Sequence, residues 1–242
     1  MPVLTVRTYP SAHAATTVMS ETWEREFDPS LWRERERNFS LGQLQQMRDG
    51  LPGMLHAIGL NATLVTADGF LVLTKRNPRM SSGRNGWHIS VNEGMTKYDR
   101  HRNRLDPRVG IVRGVDEELG LEISVDHVVI HSAIHDVTRY QFGLLGHIDL
   151  AGTDITADRI MAARKLGLGK DKVENTHLEV VDFTPREVKK VLRDENWLAH
   201  GWVNLVLSAI HAMRSDQAEF TSLLHSRVGT RQSRSKKEHA HG

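Results

Sequence analysis

The rhythm of apolar and polar positions changes several times along this chain. Residues 21–50 are highly charged, with spaced apolar anchors at Trp23, Phe27, Leu31, Trp32, Phe39, Leu41 and Leu44. Ser30 and Ser40 are placed to cap two short helices there, running to Arg37 and Met47. Upstream, only Val3–Tyr9 reads as a strand. From residue 56 the pattern becomes β-rich. Asn61–Thr66 and Phe70–Lys75 flank Ala67-Asp68-Gly69, which reads as a hairpin turn, and Gly86–Val91 follows as a third strand. A helix is predicted over Asp106–Leu119: Asp106 suits the N-cap, Pro107 the first helical position and Gly120 the residue just past the end. Ile123–Ile134 and Tyr140–Leu150 read as two longer strands joined across His135–Arg139. Glu179–Phe183 is a further strand, and Thr184-Pro185 starts a helix running to about Arg193. Helices are expected at Trp202–Met213 and Gln217–His225. No internal repeat is visible.

Composition narrows the class. With 39% hydrophobic and 26% charged residues over 242 positions, the chain is expected to be globular, with a good core. No apolar run has bilayer length, and Met1–Ser20 lacks the basic start and apolar core of a signal peptide, so no membrane role is expected. The chain has no cysteine, which rules out disulfides and thiolate metal sites and makes a cytoplasmic location the default. Net charge is +2, and Arg227, Arg231, Arg234, Lys236 and Lys237 sit in the C-terminal tail. That distribution argues for a solvated tail and against a nucleic-acid partner, which wants a basic face on a folded domain. Packing on the main domain is the stronger expectation for Trp23 and Trp32, though the pair is also compatible with a homodimer or a bound peptide.

The chemistry concentrates in the helix over Asp106–Leu119. Positions 114, 117 and 118 are spaced i, i+3 and i+4, so their side chains share one face. Carboxylates on such a face could gather hard divalent cations, which take oxygen ligands. The chain has Glu117 and Glu118 there, with Gly114 at the third place. A helical Gly costs about 1 kcal/mol relative to Ala. Gly110 lies one turn earlier, leaving a bare strip that could admit another backbone or a ligand, or mark a site that has lost its reaction.

The run Arg113-Gly114-Val115-Asp116-Glu117-Glu118-Leu119-Gly120-Leu121 resembles the second half of the Nudix box, R-E-U-x-E-E-x-G-U with U aliphatic. Arg113, Val115, Glu117, Glu118, Gly120 and Leu121 match it, and Gly114 replaces the first Glu. The upstream half would call for Gly at Asp99 and Glu at Leu105. Glu93-Gly94, after the strand-like Gly86–Val91, is read as that half, pushed back by an insertion of about five residues, which a functional loop tolerates. The early Leu71–Arg76 strand and the late passage Glu179–Val188 are similar to the Nudix pattern as well.

The resemblance implies an α/β (α+β) fold with a mixed sheet sandwiched between helices, over about 56–195. Residues 1–55 are expected to be an N-terminal extension packing on that core, and 196–242 C-terminal helices followed by the basic tail. It implies a pyrophosphohydrolase acting on a nucleoside diphosphate derivative with Mg2+ or Mn2+. The alternative is a catalytically weak ligand-binding or regulatory module, since one box acid is absent. Glu117 and Glu118 would be metal ligands, Glu118 would also assist the attacking water, and Arg113 would hold the carboxylates. Glu93 could supply the missing oxygen if its loop folds over the helix.

Two further groups are candidates for substrate contact. Lys97–Arg104 carries Arg100, Arg102 and Arg104 just before the helix, and guanidinium suits bidentate phosphate binding. His135 and Arg139 lie at the expected connection between strands. His127, His131 and His135 recur at four-residue spacing, but on a strand such residues lie about 13 Å apart at the ~3.3 Å rise per residue, too far for one zinc ion.

Overall fold

A computed structural model describes residues 58–79, 85–136, 141–170, 175–194 and 196–226. The expected N-terminal helices, the basic tail and Arg139 lie outside them. By contacts the chain divides into two compact units, and nearly all described residues fall in Leu60–Ala133 with Leu144–Gly242. The other unit, Met1–Gly59 with Ile134–Gly143, contributes only strand ends to the described residues.

The fold is mixed α/β, a seven-stranded sheet flanked by helices. Its path runs β3 (Trp87–Ile89), β2 (Phe70–Arg76), β1 (Ile58–Val65), β8 (Gln141–Asp149), β7 (Val128–Asp136). Off the path, β4 (Val91–Gly94) pairs with β1, and β9 (Asn175–Asp182) pairs with β2. A separate two-stranded ribbon joins β5 (Arg100–His101) to β6 (Arg104–Leu105). Leu73 pairs with both Ile89 and Glu179, so β3 and β9 line opposite edges of β2.

The strand expected at Gly86–Val91 breaks at Ser90. This fully buried residue accepts from the Leu64 amide at 2.9 Å and donates to the Val72 carbonyl at 2.6 Å. One hydroxyl thus satisfies two backbone groups where the ladder is interrupted. Beyond it the chain pairs with β1 as β4, and this delivers Glu93 to the helix below.

Helix α1 (Pro107–Leu119) forms as its caps dictate. Asp106 accepts from the Arg108 amide, Pro107 opens the helix, and Gly120 closes it at φ 69°, its N–H bonded to the Asp116 carbonyl. Further departures from the sequence expectation follow α1. The run from Ile123 begins with a 3-10 turn at Val125–His127 before β7. A helix not expected, α2 (Ala157–Leu166), lies between Thr156, whose hydroxyl accepts from the Arg159 amide, and Gly167 in the left-handed conformation. Helices α3 (Pro185–Leu192) and α4 (Ala199–Ala212) and the helix over 217–226 follow.

Side-chain alternation along β2 separates two layers. Leu71 and Leu73 join Ile89, Val188, Leu205, Val206 and Phe220 in one core, under α3 and α4. On α1, Ile111, Val115 and Leu119 are buried, and Leu60 of β1 lies against Gly110 of that helix. Among the described residues no helix is long and apolar enough to cross a membrane.

The spacing of His127, His131 and His135 suggests a shared face, but His131 has different neighbours. Its ring lies 5.9 Å from those of His147 on β8 and His211 on α4, and its Nε2 lies 3.2 Å from the Ser208 hydroxyl. Burial, then the neighbouring His147 and His211, hold the His131 imidazole down at about 4. An unfolded histidine takes its proton near 6.5. Stability from this group is therefore complete above about pH 6.5 and is lost as pH falls toward 4. The ring is partly exposed, and solvent screening reduces the expected loss to about 1–2 kcal/mol. Urea unfolding of the wild type and of His131→Gln from pH 7 to pH 4 should give a shallower acid decline in the variant; equal slopes would assign the acid sensitivity elsewhere.

Candidate active site

The acids of α1 meet β4 because the helix has no side chain at position 114. A Cβ on Gly114 would lie 2.5 Å from Glu93 Cγ and 2.6 Å from Val91 Cγ1. A Cβ on Gly110 would lie 2.3 Å from Leu60 Cδ1 and 2.9 Å from an Asp99 carboxylate oxygen. The bare strip is thus filled by side chains of β1, β4 and the segment after β4. Glu93 occupies the space above the position where the box would carry its first Glu.

Filling that space should be costly. Gly114→Ala gains about 1 kcal/mol in helix propensity but overpacks a tight contact at a cost of about 1–3 kcal/mol. A net loss of up to about 2 kcal/mol is expected by urea unfolding. Greater stability would mean that Val91 and Glu93 give way easily.

Arg113 organises the acids. Its Nη1 donates to Glu93 Oε2 at 2.9 Å and to Glu117 Oε2 at 3.0 Å. Its Nε donates to Asp99 Oδ1 at 3.1 Å, and Nη2 donates to the Gly94 carbonyl at 2.8 Å and to Asp99 Oδ2 at 3.4 Å. Burial works to lower the Arg113 pKa, but the bonds to Asp99 and Glu93 outweigh it and raise the pKa above the usual value. Glu118 has a backbone partner on β4. It is 5% exposed, and its Oε1 accepts from the Asn92 amide at 3.0 Å, next to Glu93 in the chain.

Three carboxylates, Glu93, Asp99 and Glu117, therefore share one guanidinium, and Glu118 lies on the same helix beside them. Exposure is graded, from 2% for the Asp99 side chain to 36% for Glu117, so the charge is reached from the Glu117 side. Carboxylate oxygens are the hard donors that Mg2+ and Mn2+ take. Glu93, Glu117 and Glu118 fit such an ion in kind and in charge. They do not stand as a ready cage: among the described residues no group of three or more His, Asp or Glu is arranged to hold a metal ion. Arg113 stands between Glu93 and Glu117.

Asp99 does not stand out in the sequence, where it is the lone acid in a basic loop. Its Oδ2 accepts from the Thr96 amide at 2.6 Å, and its backbone carbonyl accepts from Asp106 N–H at 2.9 Å. The loop itself folds as the β5–β6 hairpin, with Arg102 and Asn103 at φ 48° and 62°. Positive φ at both central residues is the tight-hairpin geometry that matches strand twist. Arg100 turns back on this hairpin, donating to the Lys97 and Asn103 carbonyls at 2.9 and 3.1 Å. Arg102 and Arg104 are exposed. His135 lies within β7 rather than in a connection, in the unit that contains Ile134–Gly143. A groove of about 350 Å³ lies beyond the end of α1, lined by Gly120, Leu121, Arg159, Ala163, Leu166 and Leu168 among others. None of the four carboxylates lines it, so the groove is separate from the acidic cluster.

No protein-family model matches the chain, and no curated protein matches it. Among solved structures it is similar to a MutT protein from Methanosarcina mazei Go1, at 12% identity and a TM-score of 0.42, over 62% of this chain and 90% of that one. It is similar to a MutT/nudix family protein from Enterococcus faecalis, at 13% identity and a TM-score of 0.36, over 71% of this chain and 56% of that one. A bifunctional NMN adenylyltransferase/ADP ribose pyrophosphatase from Francisella tularensis is similar at 12% identity and a TM-score of 0.42, over 80% of this chain and 46% of that one.

Proposed function

We propose that this chain is a Nudix-type pyrophosphohydrolase, dependent on Mg2+ or Mn2+ and acting on a nucleoside diphosphate derivative, with 56–195 as its catalytic domain. The observation that carries the reading is the gathering of Glu93 and Glu117 on Arg113, next to Glu118, on the helix whose residues 113–121 resemble the box. Glu117, Glu118 and Glu93 would hold the ion. When bound, it would neutralise diphosphate charge and make water a better nucleophile at neutral pH. Glu118, oriented by the Asn92 amide, is the proposed acceptor of the proton from the attacking water. Arg113 keeps Glu93 and Glu117 facing one another. Arg102 and Arg104, exposed on a hairpin tied to the site through Asp99, are the proposed phosphate contacts. Arg100 serves the hairpin; His135 and Arg139 are substrate contacts proposed from the sequence alone.

Replacing Arg102 and Arg104 together with Gln should raise KM several-fold, by about 1 kcal/mol or less per exposed charge, and weaken its salt dependence. An unchanged KM across ionic strengths would assign both side chains to bulk solvent.

A second reading, a ligand-binding or regulatory module with little turnover, draws on Arg113 already bridging Glu93 and Glu117. A panel of nucleotide sugars, dinucleotides and nucleoside triphosphates, assayed for phosphate products with each metal and with chelator, separates the two. Metal-dependent cleavage of a diphosphate linkage is expected. Binding without turnover would favour the module, and neither would contradict both.

A further inference from the structure

We propose that Asp99 is a positioning residue: it pins one edge of the Arg113 guanidinium, so that the arginine holds the ion-binding carboxylates loosely enough to yield them. The inference rests on the functional reading above and extends it to a residue outside the box.

A guanidinium has two unlike faces for bonding. Its Nε–Nη2 edge forms a fork that grips a carboxylate with two parallel bonds, and Nη1 makes single bonds once Nη2 is taken. Here Asp99 takes the fork, at 3.1 Å from Nε and 3.4 Å from Nη2, and the Gly94 carbonyl takes Nη2 at 2.8 Å. Nη1 is left to Glu93 and Glu117, one bond each. Asp99 is itself held by the Thr96 amide, which donates to its Oδ2 at 2.6 Å, and the Gly110 backbone leaves the space its carboxylate occupies. Burial at 2% exposure keeps water from competing for that fork.

The consequence is electrostatic. Glu93 and Glu117 are each tied to Arg113 by one bond and can exchange it for a divalent cation while the guanidinium stays anchored. Without the Asp99 charge, the fork is released and can turn onto Glu93 or Glu117, becoming a two-bond competitor for the same oxygens. Asp99 thus sets how easily the acidic face accepts a cation, without itself being a ligand.

The test is calorimetric titration of the full chain with Mn2+ alone, which does not depend on turnover. Asp99→Asn should weaken Mn2+ binding by about tenfold or more, because a buried fork is a strong local competitor. In turnover, the apparent metal constant should rise while kcat at saturating metal is largely kept. Asp99→Glu keeps the charge that pins the fork, and its Mn2+ affinity should lie well above that of Asp99→Asn. If Asp99→Asn folds and binds Mn2+ as wild type does, the proposal is overturned and Asp99 is structural only. If Asp99→Asn does not fold, Asp99→Ser, which also lacks the charge and is smaller, decides; Mn2+ binding equal to wild type in that folded variant would overturn the proposal. A wild-type chain that binds no Mn2+ would overturn the functional reading as well, which distinguishes that failure from failure of Asp99 alone.

Discussion

Glu118→Gln is expected to reduce metal-dependent hydrolysis more than about a hundredfold, a loss of about 3 kcal/mol or more in transition-state stabilisation. The substitution is nearly isosteric, and the amide oxygen can still accept from the Asn92 N–H that now binds Glu118 Oε1 at 3.0 Å. Folding should therefore be little changed, as circular dichroism and urea unfolding would show. What disappears is a charge and a proton acceptor at a position 5% exposed, where water cannot replace either. Glu122→Gln, an exposed acid just past the helix, is the control expected to leave turnover as it is. Near-normal turnover in Glu118→Gln would remove this residue from the chemistry.

Arg113→Met should be the most destabilising single change at the site, at about 3–5 kcal/mol in urea unfolding. The guanidinium is the partner of Asp99, Glu93 and Glu117 together. Most of the cost comes from Asp99, whose side chain is 2% exposed and would be left as a buried carboxylate without its counter-charge. Adding Asp99→Asn should recover a large part of the loss, because the pair is then removed as a unit and the two effects are not additive. A loss below about 1 kcal/mol in Arg113→Met would mean that Asp99 finds water or another partner, as exposed pairs do.

The parts of the fold legible in the sequence are those fixed by neighbours in the chain. Helix α1 can be read from Asp106, Pro107 and Gly120 because capping is local chemistry. The same holds for Thr184-Pro185 and α3. The turn at 67–69 follows from Gly69 at φ 84°. Helix α2 escapes because its buried residues are Ala157, Ile160 and Ala163, a weak apolar stripe; Thr156 and Gly167 are the signals that could have marked it. The break at Ser90 cannot be read at all, since its partners Leu64 and Val72 lie far away in the chain.

The site divides in the same way. Glu117, Glu118 and the pairing of Arg113 with Glu117 follow from helical spacing. Gly114 is visible as a bare position, but what fills it is decided by β4, and the structure puts Glu93 and Val91 there. Asp99 stays hidden because its role depends on the hairpin folding back against α1, which no local pattern announces. The basic residues beside it stand out for their charge, yet Arg100 spends its donors on the Lys97 and Asn103 carbonyls.

Binding of a divalent cation by the carboxylates of α1 and β4 is the claim on which the rest depends. Calorimetric titration of the wild type and of Glu93→Gln/Glu117→Gln with Mn2+ tests it most directly. One Mn2+ site is expected in the wild type, with affinity lowered by about tenfold or more in the variant, since two of the three proposed oxygen donors lose their charge. No Mn2+ binding by the folded wild type, or equal binding by the two proteins, would contradict it.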